Sequence, residues 1–383
     1  MIGPRTNPPT TLIRIDANYD TTTDVRSQAS IIQRIIQAIT SLNTTESVVL
    51  VGSRGRPVIA PRDSFARIRT NNESLQFLEL ATALGQTLGH TTGPSLVSLP
   101  TVQIPAYRVT PQICLLENLM FDPREMANDQ VLARQLGAIG HRYFIDDIRS
   151  LNDSVSSIAS VPKCIPTELS EPAQRELSRL DRLVLSPNHP FVAVVGGNQV
   201  PSKLRLIRRL VDSADEILVG GAVANAFLAG RGVDVQRTVV SGSDADAAKQ
   251  LDGIVGDRLT LPTDFVWRAG RIMDIGPNSR TRYARSIAEA QSILFAGTVG
   301  VTSTQLESFH FGSVALAEAM RSSLAATKVV VGDETVALMQ GIGVSNDELY
   351  CQGDTASVEY LAGQKLVGIE AIQRSRYART SAV

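Results

Sequence analysis

The residues best placed to do chemistry lie between Phe191 and Phe227, in FVAVVGGNQVPSKLRLIRRLVDSADEILVGGAVANAF. One apolar run, Phe191 to Val195, breaks at Gly196-Gly197, and a second, Ile217 to Val219, breaks at Gly220-Gly221. Between them Leu204, Ile207, Leu210 and Val211 share one face of a helix-period segment. Two buried strands flanking a helix form a βαβ unit of a parallel sheet. Glycines at a strand's carboxyl end let backbone approach a ligand where the next helix offers free N–H groups. The pattern predicts a nucleotide or phosphate site; the alternative is a pair of tight turns with no ligand.

Other reactive groups are scattered. Asp16, Asn18 and Asp20 share a polar turn after the first apolar run, and Asp146-Asp147 closes another. These could chelate a cation, but acids at strand ends are more simply solvated. The four histidines (His90, His141, His189 and His310) have no metal-ligand spacing and read as surface or loop residues. GxxxxGK[ST] and GxSxG are both absent. Trp267 reads as core.

The elements that must position these groups alternate along the chain. Strands are expected at Leu12–Asp16, Val48–Val51, Ile113–Leu116 and Tyr143–Ile145. Helices are expected around Ile31–Ile39, from Ser74 to about Leu88, and from Asn128 or Asp129 to near Gly140. Residues 94–109, punctuated by Pro100 and Pro105, read as irregular or weakly extended. A polar helix over about Glu168–Leu183 precedes a second series of strands: Phe191–Val195, Ile217–Val219, Thr238–Val240, Leu259–Leu261, Ile293–Phe295 and Lys328–Val331. Four of the second-half strands end in glycine-bearing turns, whereas first-half strands end in acids, amides and one arginine. Two unlike ligand faces across a cleft follow from that asymmetry.

Length and composition set bounds. A chain of 383 residues, 43% apolar and 20% charged, suits two globular domains. The net charge of −1 gives no field for nucleic acid or anionic membrane. No run reaches the roughly 18 apolar residues of a spanning helix, and no signal peptide is visible. Cys114, Cys164 and Cys351 form neither a disulfide framework nor a metal knuckle, so a reduced, cytoplasmic protein is expected. The tail from Gln373, with Arg374, Arg376 and Arg379, reads as a solvated or domain-tying end.

Laid out in order, RIDANYD, VVLVGSRGRP, ICLLENLMFDPREMAND, LPTDFV, DIGP, LFAGTVGV, VVVGDET and QGDTASVEYLAGQKLVGIEAI resemble the ordered motifs of phosphoglycerate kinases. The resemblance spans nearly the whole chain. It implies an α/β fold of two doubly wound, Rossmann-like parallel-sheet domains. Their expected extents are 1–166 for the acceptor-type domain, 167–188 for a hinge helix and 189–365 for the nucleotide-type domain, with 366–383 returning to the first. It further implies acceptor binding by Arg14, Asp16, Asn18 and Arg56. Nucleotide binding would fall to Gly196, Gly197, Lys203, Gly220, Gly332, Glu334 and Thr335, with Glu334 on Mg²⁺. The implied cofactor is Mg-ATP or Mg-ADP, if any nucleotide binds, and the implied state is a monomer.

The same motifs depart from the family at its chemistry. The family's His after the second strand is Ser53, and the Arg of ENLRF is Met120. The helix Arg aligns with Ser30 and a later Arg with Asp153, although Arg26, Arg34, Arg142 or Arg149 could stand in. The Lys that steadies the moving phosphoryl group is Gln199, the Asn of WNGP is Ala296, and the ribose Glu is Ser303. The phosphate loop reads Val331-Gly332-Asp333-Glu334-Thr335; the later loop, from Gln352, carries Asp354. An acid there repels a triphosphate, and valine resists positive φ. Each lost charge-assisted bond is worth roughly 1.5–3 kcal/mol, so several together cost decades of affinity. The expectation is a phosphoglycerate-kinase-like protein without the parent phosphotransfer, kept for binding, regulation or assembly, with a protein partner in place of an acceptor. The alternatives are a phosphotransferase for a less anionic acceptor and an active kinase with compensating residues.

Overall fold

The computed structural model describes residues 9–18, 25–42, 46–302, 309–344, 350–351 and 353–380. The chain forms two compact units: the described residues of Met1–Arg175 with those of Leu366–Val383, and the described residues of Glu176–Lys365.

In the first unit the strands are β1 (Thr10–Asp16), β2 (Ser47–Ser53), β3 (Ser95–Leu99), β4 (Val102–Arg108), β5 (Ile113–Leu116), β6 (Arg142–Ile145) and β7 (Thr167–Leu169). They lie side by side as β3-β4-β5-β2-β1-β6-β7. From β5 to β7 the pairing is parallel, and β3 and β4 add an antiparallel edge. Of the two readings of 94–109, irregular or weakly extended, that edge bears out the extended one. Proline removes only a donor, and the Pro105 carbonyl still accepts from the Glu117 N–H at 2.8 Å. Helix Val25–Thr40 buries Ile31, Ile32 and Ile35 against Ile13, Leu50 and Leu84, a core that parallel strands covered by helices require.

Side-chain caps fix two of the helix starts in this unit. Ser64, not Ser74, caps a helix (Phe65–Asn71) by accepting from the Arg67 N–H, and Ser74 lies in a 3₁₀ turn before helix Leu78–Thr87. Asp129 caps Gln130–Gly137 by accepting from the N–H groups of Val131 and Leu132. Helix Glu171–Leu185 carries the chain into the second unit. It is less solvated than its composition suggests, because Ala173, Leu177, Leu180 and Leu183 form a buried stripe. Helix Val367–Thr380 belongs to the first unit, where Gly368 lies against Leu151 so closely that a Cβ would come within 2.6 Å of a leucine methyl.

The second unit holds β8 (Phe191–Val195), β9 (Glu216–Val219), β10 (Leu259–Thr260), β11 (Phe265–Arg268), β12 (Arg271–Ile275), β13 (Ser292–Ala296), β14 (Thr327–Val331) and β15 (Tyr350–Cys351). Six make a wholly parallel sheet in the order β10-β9-β8-β13-β14-β15, and β11 and β12 form a separate antiparallel hairpin. The βαβ reading of 191–227 holds: helix Val200–Leu210 joins β8 to β9 and buries Leu204, Ile207 and Leu210. Residues 238–240 are not a strand. Val239 is 80% exposed, and the Thr238 hydroxyl accepts from the Ile272 N–H of the hairpin instead of pairing in the sheet. Trp267 is exposed on that hairpin, edge-on to Phe265, and is no part of the core. The expectations placed on Asp20, Ser303 and Gln352, and on the side chains of Arg26, Asp354, Arg376 and Arg379, fall outside the described residues.

Candidate functional site

An open parallel sheet offers its ligand crevice at the carboxyl ends of the strands where chain order reverses. In the second unit the chain runs from β8 outward to β10, then returns to β13 and runs the other way, so the reversal lies between β8 and β13. A cavity of about 1000 Å³ opens there. Its floor is Gly197-Asn198 after β8 and Thr298 to Thr302 after β13. Its sides come from Gly221, Ala222 and Asn225 on helix Gly221–Gly230, from Ile272 to Asp274 on β12, and from Glu334 to Ile342 on helix Asp333–Gly341.

The glycine turns are tied to one another through the backbone. Their N–H groups are already used by backbone carbonyls: Gly196 to Ala296, Gly197 to Thr298, Gly220 to Val195 and Gly221 to Val299. These bonds tie the β8, β9 and β13 turns together, and Gly196 is required by closeness. A Cβ at that position would lie 2.3 Å from the Thr298 carbonyl oxygen. Gly196, Gly197 and Gly220 pack these turns together, and Gly197 lines the cavity floor. Gln199 stands at the start of helix Val200–Leu210, and its Oε1 accepts from the Thr355 hydroxyl at 3.4 Å. Lys203 is buried on the same helix and does not line the cavity.

The loop after β14 is relaxed. Val331 is the last strand residue, and Gly332 alone takes the left-handed backbone, at φ 104°. The expected strain at Val331 therefore does not arise. Asp333 and Glu334 begin the next helix; Glu334 lines the cavity and Asp333 does not. The Thr302 hydroxyl donates to Glu334 Oε2 at 3.0 Å. Thr335 is buried with its hydroxyl unpartnered, and it too lies outside the lining. Among the described residues no group of three His, Cys, Asp or Glu could hold a metal ion. Asp274 and Glu334 are the acids among the described lining residues, and Mg²⁺ at Glu334 would depend on phosphate oxygens for the rest of its shell.

Two cavity residues escaped the sequence reading. Asn225 is buried in the otherwise apolar helix segment AVANAFLAG, and its Oδ1 has no hydrogen-bond partner. An amide amid small apolar residues was the available signal. Asp274 is buried as well, its oxygens accepting from the N–H groups of Ile275 and Gly312. Burial pushes its carboxyl above the usual range against the pull of those bonds.

In the first unit the reversal falls between β1 and β6, whose carboxyl ends supply Asp16 and Asp146-Asp147. Arg14 is buried and faces inward. It pairs with Asp147 at 3.2 Å and donates to Ser157, Ser53 and the Ile15 carbonyl. Arg149 Nε donates to Asp16 and Arg34 Nε to Asp146, at 3.0 and 2.9 Å. Arg142 is held by Glu46 at 3.2 Å. Asn18 is exposed, and its Oδ1 accepts from the Gly55 N–H. Burial and the Asp147 charge push the Asp16 carboxyl up, while Arg149 pulls it back. Arg56 is exposed, and Asp153 lies within its field and that of Arg14; burial nonetheless raises the Asp153 carboxyl. Arg14, the expected acceptor cation, is thus held by Asp147 within the unit. Most of the stand-in arginines are spent on the unit's own acids.

Two doubly wound units, one with a ligand-sized cavity at its strand reversal, define an α/β protein with a nucleotide-binding fold. The phosphoglycerate kinase family profile matches residues 6–364. Phosphoglycerate kinase of Chloroflexus aurantiacus is 29% identical over 391 aligned positions, covering 94% of this chain and 95% of that one. That of a Parafrankia species is 30% identical over 379, covering 92% and 91%. Phosphoglycerate kinase structures from Coxiella burnetii and Pyrococcus horikoshii superpose with TM-scores of 0.77 each, at 23% and 20% identity, and cover 96–97% of this chain. The chain belongs to the phosphoglycerate kinase family.

Proposed function

We propose that this protein is a family member that no longer transfers a phosphoryl group between ATP and 3-phosphoglycerate, and that it serves as a ligand-binding protein through the cavity of its second unit. One observation carries the reading. At the strand reversal of the first unit Arg14, Arg34 and Arg149 are each paired with an aspartate of the same unit. An anionic acceptor would have to displace carboxylates that are already desolvated and hydrogen-bonded, which forfeits the gain of the new contact.

Two further features support it. Position 199 carries a neutral amide where a cation would offset the charge of a moving phosphoryl group, and an amide cannot supply that offset. Met120 is half-buried and adds no charge to the acceptor side. In this reading Mg-ATP or Mg-ADP is a ligand of the cavity at most, with Glu334 the group expected to meet the metal. The protein works as a cytoplasmic monomer that signals to a protein partner. Free Cys114, Cys164 and Cys351 suit a reducing compartment.

The test is a coupled assay of 1,3-bisphosphoglycerate formation with Mg-ATP and 3-phosphoglycerate, run beside calorimetric titration of the cavity. Turnover at background with heat on titration supports the reading. Turnover within about a hundredfold of the median enzyme, roughly 10 s⁻¹, overturns it. The double variant Gln199→Lys with Met120→Arg should stay inactive, because the aspartates still hold the acceptor-side arginines. Substantial rescue by those two changes alone would sink the reading.

A further inference from the structure

We infer that the β11–β12 hairpin docks an acidic, extended segment of a protein partner. This rests on the partner role proposed above and gives that partner a chemistry. None of the residues involved, Arg237, Trp267, Arg268 and Arg271, lines the cavity.

The first observation is charge. Arg268 and Arg271 stand directly opposite each other on the two strands, flanking the turn Ala269-Gly270, and both are exposed. Like charges facing across a strand pair oppose the pairing. Arg237, also exposed, packs on the same turn. Its N–H donates to the Gly270 carbonyl at 2.8 Å, and two of its side-chain carbons come within 3.2 and 3.3 Å of where a Gly270 Cβ would sit. Among the described residues Arg237 and Arg271 form no ion pair. The acids nearest in sequence, Asp234, Asp264 and Asp274, accept instead from the N–H groups of Gln236, Ser279 and Gly312. An acidic segment relieves the repulsion at the turn, and arginine takes carboxylates bidentately.

The second observation is the aromatic surface beside those charges. Trp267 is 40% exposed and stands edge-on to Phe265. Tryptophan and arginine are residue types that dominate binding energy at protein interfaces. The Arg268 guanidinium lies over the Phe309 ring at 5.7 Å, which restricts it before any ligand arrives. The third is an open edge. Among the described residues β11 pairs with β12 alone, whereas β12 also engages the Val301 N–H at Met273 and the Thr238 hydroxyl at Ile272. The extra residue at the hairpin's register shift, Met273, is on β12, so β11 runs without a bulge and can accept a further strand. Nucleic acid suits this surface less well, because so few cations release few counterions and the chain as a whole carries a charge of −1.

Titration of the whole protein with a short peptide of alternating glutamate and threonine, at low salt, tests this through the emission of Trp267, the chain's one tryptophan. Emission should move to shorter wavelength as the indole is covered, and the change should fade as salt rises. Arg268→Glu with Arg271→Glu should weaken binding at least about tenfold, since one charge pair at contact is worth about fivefold even in water. The same double variant should gain affinity for a lysine-threonine peptide, a gain that a folding defect does not produce. Trp267→Ala, followed by the fluorescence anisotropy of a labelled glutamate peptide, should weaken binding about tenfold. Emission unchanged up to about 1 mM glutamate peptide would overturn this inference and leave the partner role to another surface. Affinity altered less than about twofold in the double variant, or oligothymidylate bound more tightly than the peptide, would overturn it as well. The coupled assay of phosphotransfer tests the wider reading separately.

Discussion

Asp147→Ala asks most directly whether the first unit's arginines are structural. Arg14 and Asp147 are 1% and 2% exposed, with the guanidinium 3.2 Å from the carboxylate. At an effective dielectric constant of about 20, charges at that 3.2 Å separation attract by about 5 kcal/mol. Removing the carboxylate leaves the guanidinium its hydrogen bonds to Ser157, Ser53 and the Ile15 carbonyl but no counter-charge at contact. A buried ion stripped of its partner costs about 3–5 kcal/mol, a large share of the roughly 5–15 kcal/mol that holds a domain together. The single tryptophan, Trp267, sits in the second unit, so its fluorescence does not report this loss. Urea unfolding followed by far-ultraviolet circular dichroism, with hydrogen exchange read on β1, is the suitable assay. The midpoint should fall steeply, β1 protection should fall with it, and Arg14→Met added to Asp147→Ala should recover part of the loss. A cost below about 1 kcal/mol would mean that Arg14 keeps access to water. The reasoning that denies it to an anionic acceptor would then be refuted.

Two further outcomes bear on the second unit. Gly196→Ala would press a methyl group to within 2.3 Å of one backbone oxygen and 2.9 Å of another, so the unit should lose about 1–3 kcal/mol along with cavity binding. Denaturation followed at Trp267, beside ligand titration, measures both; an unchanged midpoint would place the β8 and β13 turns wrongly. Asp264 accepts from Ser279 Oγ and from the Asn278 and Ser279 N–H groups at the start of helix Pro277–Glu289. Desolvation would raise its carboxyl, but Ser279 and Asn278 hold it below the ordinary range. Its contribution is therefore complete above the unfolded value of about 3.9 and disappears as pH falls through the lower folded value. Asp264→Ala should cost about 1 kcal/mol at pH 7, and the gap from wild type should shrink on acidification towards pH 3. A gap of constant size across that range would show that the capping bonds do not depend on the charge.

The order of strands and helices was legible because buried parallel strands must be continuous apolar runs. Phe191–Val195 and Ile217–Val219, with an amphipathic helix between them, admit few other arrangements. Elements whose stability is not written in their own residues were missed. The β3–β4 hairpin depends on β5 for pairing, and the exposed 238–240 lacks a strand to pair with. The candidate site divides in the same way. Residue types alone showed that a cation is missing at Gln199 and that acids stand in the last glycine loop. Only the tertiary structure decided that Arg14 faces inward to Asp147, that the glycine N–H groups are already spent, and that Asn225 looks into a cavity without a partner. A charge's availability depends on what the fold brings within a few ångströms of it, and those neighbours, such as Arg14 and Asp147, come from strands far apart in sequence.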